Sequence, residues 1–495
     1  VLNTEWDRAG IGPTIWKNTY DMKGPQDRSA RWHTVLYLLG ATVLLSALAF
    51  VNRYPFVYSD SGTYIRSAFT LLPAPDRPIG YSFIIRAVTW QSTLWTMVLF
   101  QSAMVAWLLF EVLRKVLPSN VRLWRVHLLV VGVLMLCTSL PWYTAQIMPD
   151  VLTPMVALVL YLLLFAPELS IGKKVFLWVC LFFFLFSHNS HVAMAGLFLV
   201  GMLLFSLIRR KTLAPGFHYV LGGIALVIGS CILFGSWYNG RHGMPAVYSP
   251  AAHVFLTGRL CENRLLGDYL DKHCAERDYP LCVYKNELPD IPGNFIWPEY
   301  NIAGRLNTNM AVADSMLAPM VGDLLSDPEY LGRYIRSCVV STIVQFFQVT
   351  TNSGLVSYPV GTSPQVIIAQ RLRWESSSYI TSYQAFGDWD LKLVDRVVHV
   401  AFFFSLFVLI WTYAGWRKAS ELSTVILIVL VWVVLNAAVT SSLANVYDRL
   451  QSRVAWMVVF AACLALLNTR WGRRLLGRPE FVVDQAQGRT DGPVG

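Results

Sequence analysis

The stretch Tyr58-Ser59-Asp60-Ser61-Gly62-Thr63-Tyr64 places a carboxylate just beyond the first long apolar run, Thr34 to Val51. A run of that length crosses most of a bilayer, so Asp60 stands where the chain leaves it. From there the loop continues to Pro78-Ile79-Gly80-Tyr81. A carboxylate at the mouth of a span is costly to hold and points to function by default. Within reach of a hydroxyl it can act as a general base. Its plainer use is as the N-cap, shared with Ser61, of a helix running through Tyr64 to Leu72.

Comparable groups recur wherever the chain should return to the same face. Asp76 and Arg77 share the loop of Asp60, and Asp150 ends Gln146-Ile147-Met148-Pro149-Asp150. His188 and His191 lie in Ser187-His188-Asn189-Ser190-His191, and Tyr447, Asp448, Arg449 and Arg453 precede the last apolar run. Arg449 and Arg453 are four residues apart on an expected helix and share a face. As a pair they make a phosphate clamp; singly, each can snorkel to the interface. Asp150, after proline, can cap the next helix. The two histidines can punctuate a hairpin, or supply two metal ligands if a third comes from elsewhere. A compact bundle would bring all these turns to one cavity.

The elements that must position these groups are apolar helices. Of 495 residues, 55% are hydrophobic and 14% charged, the composition of a polytopic membrane protein. The net charge of +10 does not imply nucleic acid, because the basic residues are scattered in short clusters between apolar runs. These are Arg114-Lys115, Arg122 and Arg125, Lys173-Lys174, Arg209-Arg210-Lys211, Arg417-Lys418, and Arg470 with Arg473-Arg474. The positive-inside rule turns them into a topology with both ends cytoplasmic. Ten spans are expected, near 34–51, 91–113, 127–143, 151–167, 172–187, 192–208, 218–236, 397–415, 422–440 and 453–469. The run Cys338 to Val349 is about a dozen residues and reads as re-entrant or interfacial.

The organisation expected is therefore all-α. A cytoplasmic segment covers 1–33. A transmembrane domain covers 34–236, with a first outer loop at 52–90 that folds into one or two interfacial helices. An outer-face domain covers 237–396, C-terminal spans cover 397–469, and a cytoplasmic tail covers 470–495. Cys261, Cys274 and Cys282 fall in the large outer loop, where one disulfide is expected, most simply Cys274 with Cys282.

This layout resembles the C-type superfamily of membrane glycosyltransferases, which includes protein mannosyltransferases and lipid A aminoarabinose transferases. The resemblance rests on Asp60 followed by Tyr64 in a long first outer loop, on Pro149-Asp150 in a short second one, and on Tyr447 through Arg453 entering a late span. A large outer domain in the second half of the chain completes it. It implies transfer of a sugar from a polyprenyl-phosphate donor to a glycan, lipid or protein acceptor at the periplasmic face of the inner membrane, with inversion. Asp60 would be the catalytic base, with Asp150 the reserve catalytic candidate, orienting the acceptor or holding a metal ion. Arg449, Arg453 and Tyr447 would hold the donor phosphate, and Tyr64, Arg77, Tyr81, His188 and His191 would contact substrate. No cofactor is required by this reading, and a divalent metal ion stays open. Two alternatives remain: a transporter or flippase for a lipid-linked or anionic substrate, using Asp60 and the arginine pair, and an acyltransferase centred on His188 or His191.

Overall fold

The structure, a computed structural model, describes residues 25–117, 121–208, 216–297, 301–351, 354–387, 389–418, 420–469 and 471–472. All but Trp471 and Gly472 of the expected tail, and most of the N-terminal segment, together with the cluster Arg209-Arg210-Lys211, lie outside them. The first helix, α1, spans Pro25–Asn52, and two short helices follow in the first loop, α2 (Ser61–Thr70) and α3 (Gly80–Thr89). Seven more complete the first half: α4 (Trp95–Val116), α5 (Leu123–Cys137), α6 (Leu140–Ala145), α7 (Leu152–Phe165), α8 (Ile171–Phe186), α9 (Asn189–Ile208) and α10 (Phe217–Arg241). The middle of the chain holds α11 (Ala252–Cys261), α12 (Leu265–His273), α13 (Pro292–Ile296), α14 (Ile302–Leu306), α15 (Met310–Ser326), α16 (Pro328–Phe346), α17 (Ser363–Arg371), α18 (Ser376–Ile380) and α19 (Tyr383–Phe386). The last four are α20 (Lys392–Trp411), α21 (Tyr413–Trp416), α22 (Ser420–Leu443) and α23 (Asp448–Leu467).

Among the described residues, seven helices are long and apolar enough to cross a membrane: α1, α4, α9, α10, α20, α22 and α23. The other three expected spans fall on shorter apolar helices, α5, α7 and α8, of 15, 14 and 16 residues. α7 is enclosed along nearly its whole length and forms the centre of the bundle, so a continuous apolar sequence here reflects burial in protein on all sides.

Two ion networks mark opposite ends of the bundle. At one end, Lys115 Nζ meets Glu421 (3.0 Å) and Glu168 (3.2 Å), and Glu111 pairs with Lys173 and Arg114. These are the C-terminal end of α4 and the N-terminal ends of α8 and α22. His188 follows α8 and Arg449 follows α22, so both stand at the other ends of those helices, and Asp60 and Asp150 lie beside Arg449 there.

The stretch 237–396, expected as one domain, is divided in two by its packing. Residues from Ala251 to Tyr330 form a hydrophobic core of their own, around Leu266, Phe295, Leu317 and Met320. A disulfide joins Cys274 to Cys282 there, and Cys261 is a buried free thiol. From Val349 onward, Leu355, Ile368, Leu372, Tyr379 and Leu391 belong to the core of the helical bundle. This second piece is a strap fastened to the first loop. Gln384 bonds the backbone of Val57 in both directions, and Tyr54 donates to buried Glu375 at 2.6 Å. Periodicity could not reveal the division, because each piece is amphipathic whichever core it joins.

Candidate functional site

Asp60 and Asp150 meet because their loops are zipped together by backbone. Phe56 N donates to Ala145 O and Ile147 N to Phe56 O, both at 2.9 Å. Ser61 Oγ accepts from Tyr58 N and donates to Ile147 O, each at 2.8 Å. α2 can lie this close to the strap because position 62 is glycine: a Cβ there would stand 2.7 Å from Ser363 Oγ. Gly80 plays the same part at α3, where a Cβ would overlap the Phe186 carbonyl at the end of α8.

Neither aspartate caps a helix with its side chain. Asp60 occupies the N-cap position of α2 with no side-chain capping bond. Its carboxylate takes Arg77 Nη1 at 2.8 Å, while the same guanidinium also holds Asp76. Asp150 sits in a single 3-10 turn, Pro149–Val151, and accepts from Arg453 Nη1 at 2.8 Å. Arg449 lies between the two acids, 3.7 Å from Asp150 Oδ2 and 4.0 Å from Asp60 Oδ2, with its guanidinium 3.9 Å over the Tyr58 ring. Three aspartates and three arginines thus neutralise one another at one end of the bundle.

The cluster has a closed side and an open side. Asp150 and Arg453 are 1% and 0% exposed, whereas the Asp60 side chain keeps 24%. Arg453 is completed by Asn436 Oδ1 (3.0 Å) and Ser190 Oγ (3.4 Å), and Asn436 is itself fixed through Gln451. Burial works against the charge on Asp60, but Arg77 and Arg449 outweigh it and hold the carboxyl below its ordinary range. Burial likewise opposes the charge on Arg77, and Asp60 with Asp76 overrides it and keeps the guanidinium protonated. His188 goes the other way: burial first, then the nearby Arg453, drives its pKa well down, so the ring is neutral at physiological pH.

The structure therefore brings together Asp60, Asp150, Arg77, Arg449, Arg453 and His188. Tyr64 is stacked beneath, with Arg77 5.4 Å above its ring. Three of the expected site residues are enclosed. Arg453 is sealed by Asp150, Asn436 and Ser190, so it is no open phosphate clamp. Tyr81 is fully enclosed, its hydroxyl on Gln101 and its ring edge against Tyr64. His191 is enclosed too, with Nε2 on Thr153 Oγ1 and Nδ1 on the Phe184 carbonyl, both at 2.7 Å, leaving no ring nitrogen for a substrate. Tyr447 presents its ring at the surface, and its backbone pairs with Gln345.

Sequence reasoning passed over Tyr58, Ser190 and Asn436. Asn436 had a signal, a lone amide inside the apolar run Val431 to Val439. Tyr58 and Ser190 had none beyond their neighbours. A divalent ion at this cluster would meet three guanidinium groups around the acids. Among the described residues, no three His, Cys, Asp or Glu side chains are grouped to hold a metal. No family model, no curated protein and no solved structure matches the chain.

Proposed function

We propose that this chain is a membrane glycosyltransferase that moves a sugar from a polyprenyl-phosphate donor to a hydroxyl-bearing acceptor, with inversion. The observation that carries the reading is Arg449 set between two carboxylates delivered by two different interhelical turns. A transferase of this class needs a base for the incoming hydroxyl and cations for the leaving phosphate, within one substrate length. Asp60, on the open side, takes the acceptor proton as the new glycosidic bond forms. The bond from the anomeric carbon to the phosphate oxygen breaks, and Arg449 and Arg77 receive the departing charge. In the resting cluster these arginines are matched by carboxylates. A phosphate that draws them off weakens the hold on Asp60, which raises its basicity when a base is needed. Arg453 and Asp150 are positioning residues in this scheme, fixing Arg449 from the closed side.

We read α5 with α6, α7 and α8 as completing a ten-span bundle, with the Lys115–Glu421 end cytoplasmic and the cluster on the periplasmic face of the inner membrane. The basic residues concentrated at the first end favour that orientation. The acyltransferase alternative is weakened by His191, whose two ring nitrogens are both bonded within the fold.

The test is transfer of radiolabelled sugar from polyprenyl phosphate by the purified chain in detergent. Asp60→Asn keeps the shape and removes the base, so turnover should fall about 10²–10⁴-fold while the protein stays folded. An Asp60→Asn protein with near-full turnover, beside an inactive Asp150→Asn protein, reverses the two roles. No transfer by wild type with any lipid-phosphate sugar removes the reading.

A further inference from the structure

Apart from the acid cluster, the molecule carries a second concentration of arginine, at the junction between the Ala251–Tyr330 core and the bundle. A cleft of about 560 Å³ lies there, bounded by α16, the turn after α11 and the α22–α23 connection. Arg336, Val340 and Val344 recur every four residues on α16 and form one stripe along it. Arg333 and Ser337 run beside them, and Val446 closes the apolar end. The cleft is thus basic at one end and hydrocarbon at the other.

Its floor is polarised from behind. Arg259 is buried, with Nη1 on Glu262 and Nη2 donating to Ser337 Oγ (2.9 Å) and Ser341 Oγ (3.0 Å). Both hydroxyls accept from a guanidinium and keep their own O–H to donate into the cleft. Arg333 gives one edge to Asp268 at 2.7 Å. Arg336 is exposed and makes no hydrogen bond or ion pair among the described residues. The opening therefore carries an excess of positive charge.

The apolar end is continuous with a surface that faces the membrane. Val339 and Ile343 of α16 and Phe347 just after it are exposed, and Phe347 stacks on Phe403 of α20, one of the seven membrane-length helices, whose Val400, Phe404 and Phe407 are exposed as well. The serines lie level with the end of α22, where Thr342 Oγ1 is 3.4 Å from Ser441 Oγ. A ligand here has its polar end at the mouth of the bundle and its apolar end in the lipid.

We propose that this cleft binds an anionic lipid, its phosphate on Arg336, Arg333 and the two serine hydroxyls and its chain along Val340, Val344 and Val446. The site is separate from the aspartate–arginine cluster and does not depend on the activity proposed for it. A soluble protein partner is disfavoured by the continuity with the α20 face. Inorganic phosphate alone would leave the valines without a role.

The experiment is native mass spectrometry of the full chain in detergent, titrated with phosphatidylglycerol or phosphatidylcholine. Wild type should retain phosphatidylglycerol preferentially. Arg336→Gln should reduce that preference about fivefold, the worth of one basic side chain beside an anionic headgroup, and Arg336→Lys should keep most of it. Val340→Ser with Val344→Ser should weaken both lipids. Inorganic phosphate at equal concentration should displace neither. Equal retention of the two lipids by wild type, an unchanged preference in Arg336→Gln, or displacement by inorganic phosphate each overturns the proposal. An Arg336→Lys protein behaving as Arg336→Gln sinks the charge argument specifically.

Discussion

Arg453 on α23 and Arg336 on α16 are carried at the same end of the bundle, yet one is sealed and the other open. Arg453 has no exposed surface and four bonds to Asp150, Asn436 and Ser190. Arg336 faces solvent beside a serine-floored cleft. A buried guanidinium has already lost its water and is held by the carboxylate that replaced it. An arginine of that kind organises its surroundings, whereas the open kind can still exchange water for a ligand. Residue type and helical spacing look alike in the two places, so burial decides which role each plays.

The comparison is broken most directly by neutralising one arginine at a time. Arg453→Gln leaves Asp150 buried without its main partner and should cost about 3–5 kcal/mol. Arg336→Gln should stay within about 0.5 kcal/mol of wild type. Denaturant unfolding of both proteins in one detergent measures the contrast. Adding Asp150→Asn to Arg453→Gln should cost less than the sum of the single changes, because the second substitution removes the orphaned charge. Equal losses for Arg453 and Arg336 would erase the distinction.

A smaller loss is expected where the two loops are held against the bundle. Gly80→Ala drives a methyl group into the Phe186 carbonyl, and backbone must move to admit it. A cost of about 1–3 kcal/mol follows. Since α3 adjoins the loop holding Asp76 and Arg77, turnover should fall with it. Gly132→Ala, where a Cβ meets nothing within 4 Å, is the matched control and should be close to neutral.

Much of the closed cluster was legible in the sequence. Charges in a chain this apolar are few, and those of the cluster lie in or just beyond turns between apolar runs. A compact bundle then had little choice but to gather Asp60, Asp150, Arg449 and Arg453. The pairing was not legible. Whether Arg453 meets a phosphate or Asp150 depends on the backbone zipper between Phe56 and Ile147, which joins loops about ninety residues apart and leaves no local pattern. Helix α16 shows the same limit. The apolar run Cys338 to Val349 was visible, but the helix begins at Pro328, beside the other core, and ends at Phe346, so the run covered only its second half and the residues just after it.

The smallest effect expected is on pH dependence, and it separates the neutral member of the cluster from its charged neighbours. Folding lowers the pKa of His188, through burial and then through the charge of Arg453. The unfolded chain therefore binds a proton near pH 6.5 that the folded chain refuses. Stability from this group is complete above that pH and declines as pH falls below it. Asp60, also lowered, keeps its contribution until pH drops below the ordinary aspartate range near 4, so the two groups act in different windows. His188→Gln should flatten the stability profile between about pH 4 and pH 6.5 and leave the steeper loss below pH 4 in place. In an Arg453→Gln background the His188 contribution should shrink, because one of the charges that repels its proton is gone. Stability measured at half-unit pH steps in the single and double variants decides the matter. A profile unchanged by His188→Gln would mean that the ring takes its proton in the folded state as readily as in water, and that the closed side of the cluster is wetter than its geometry implies.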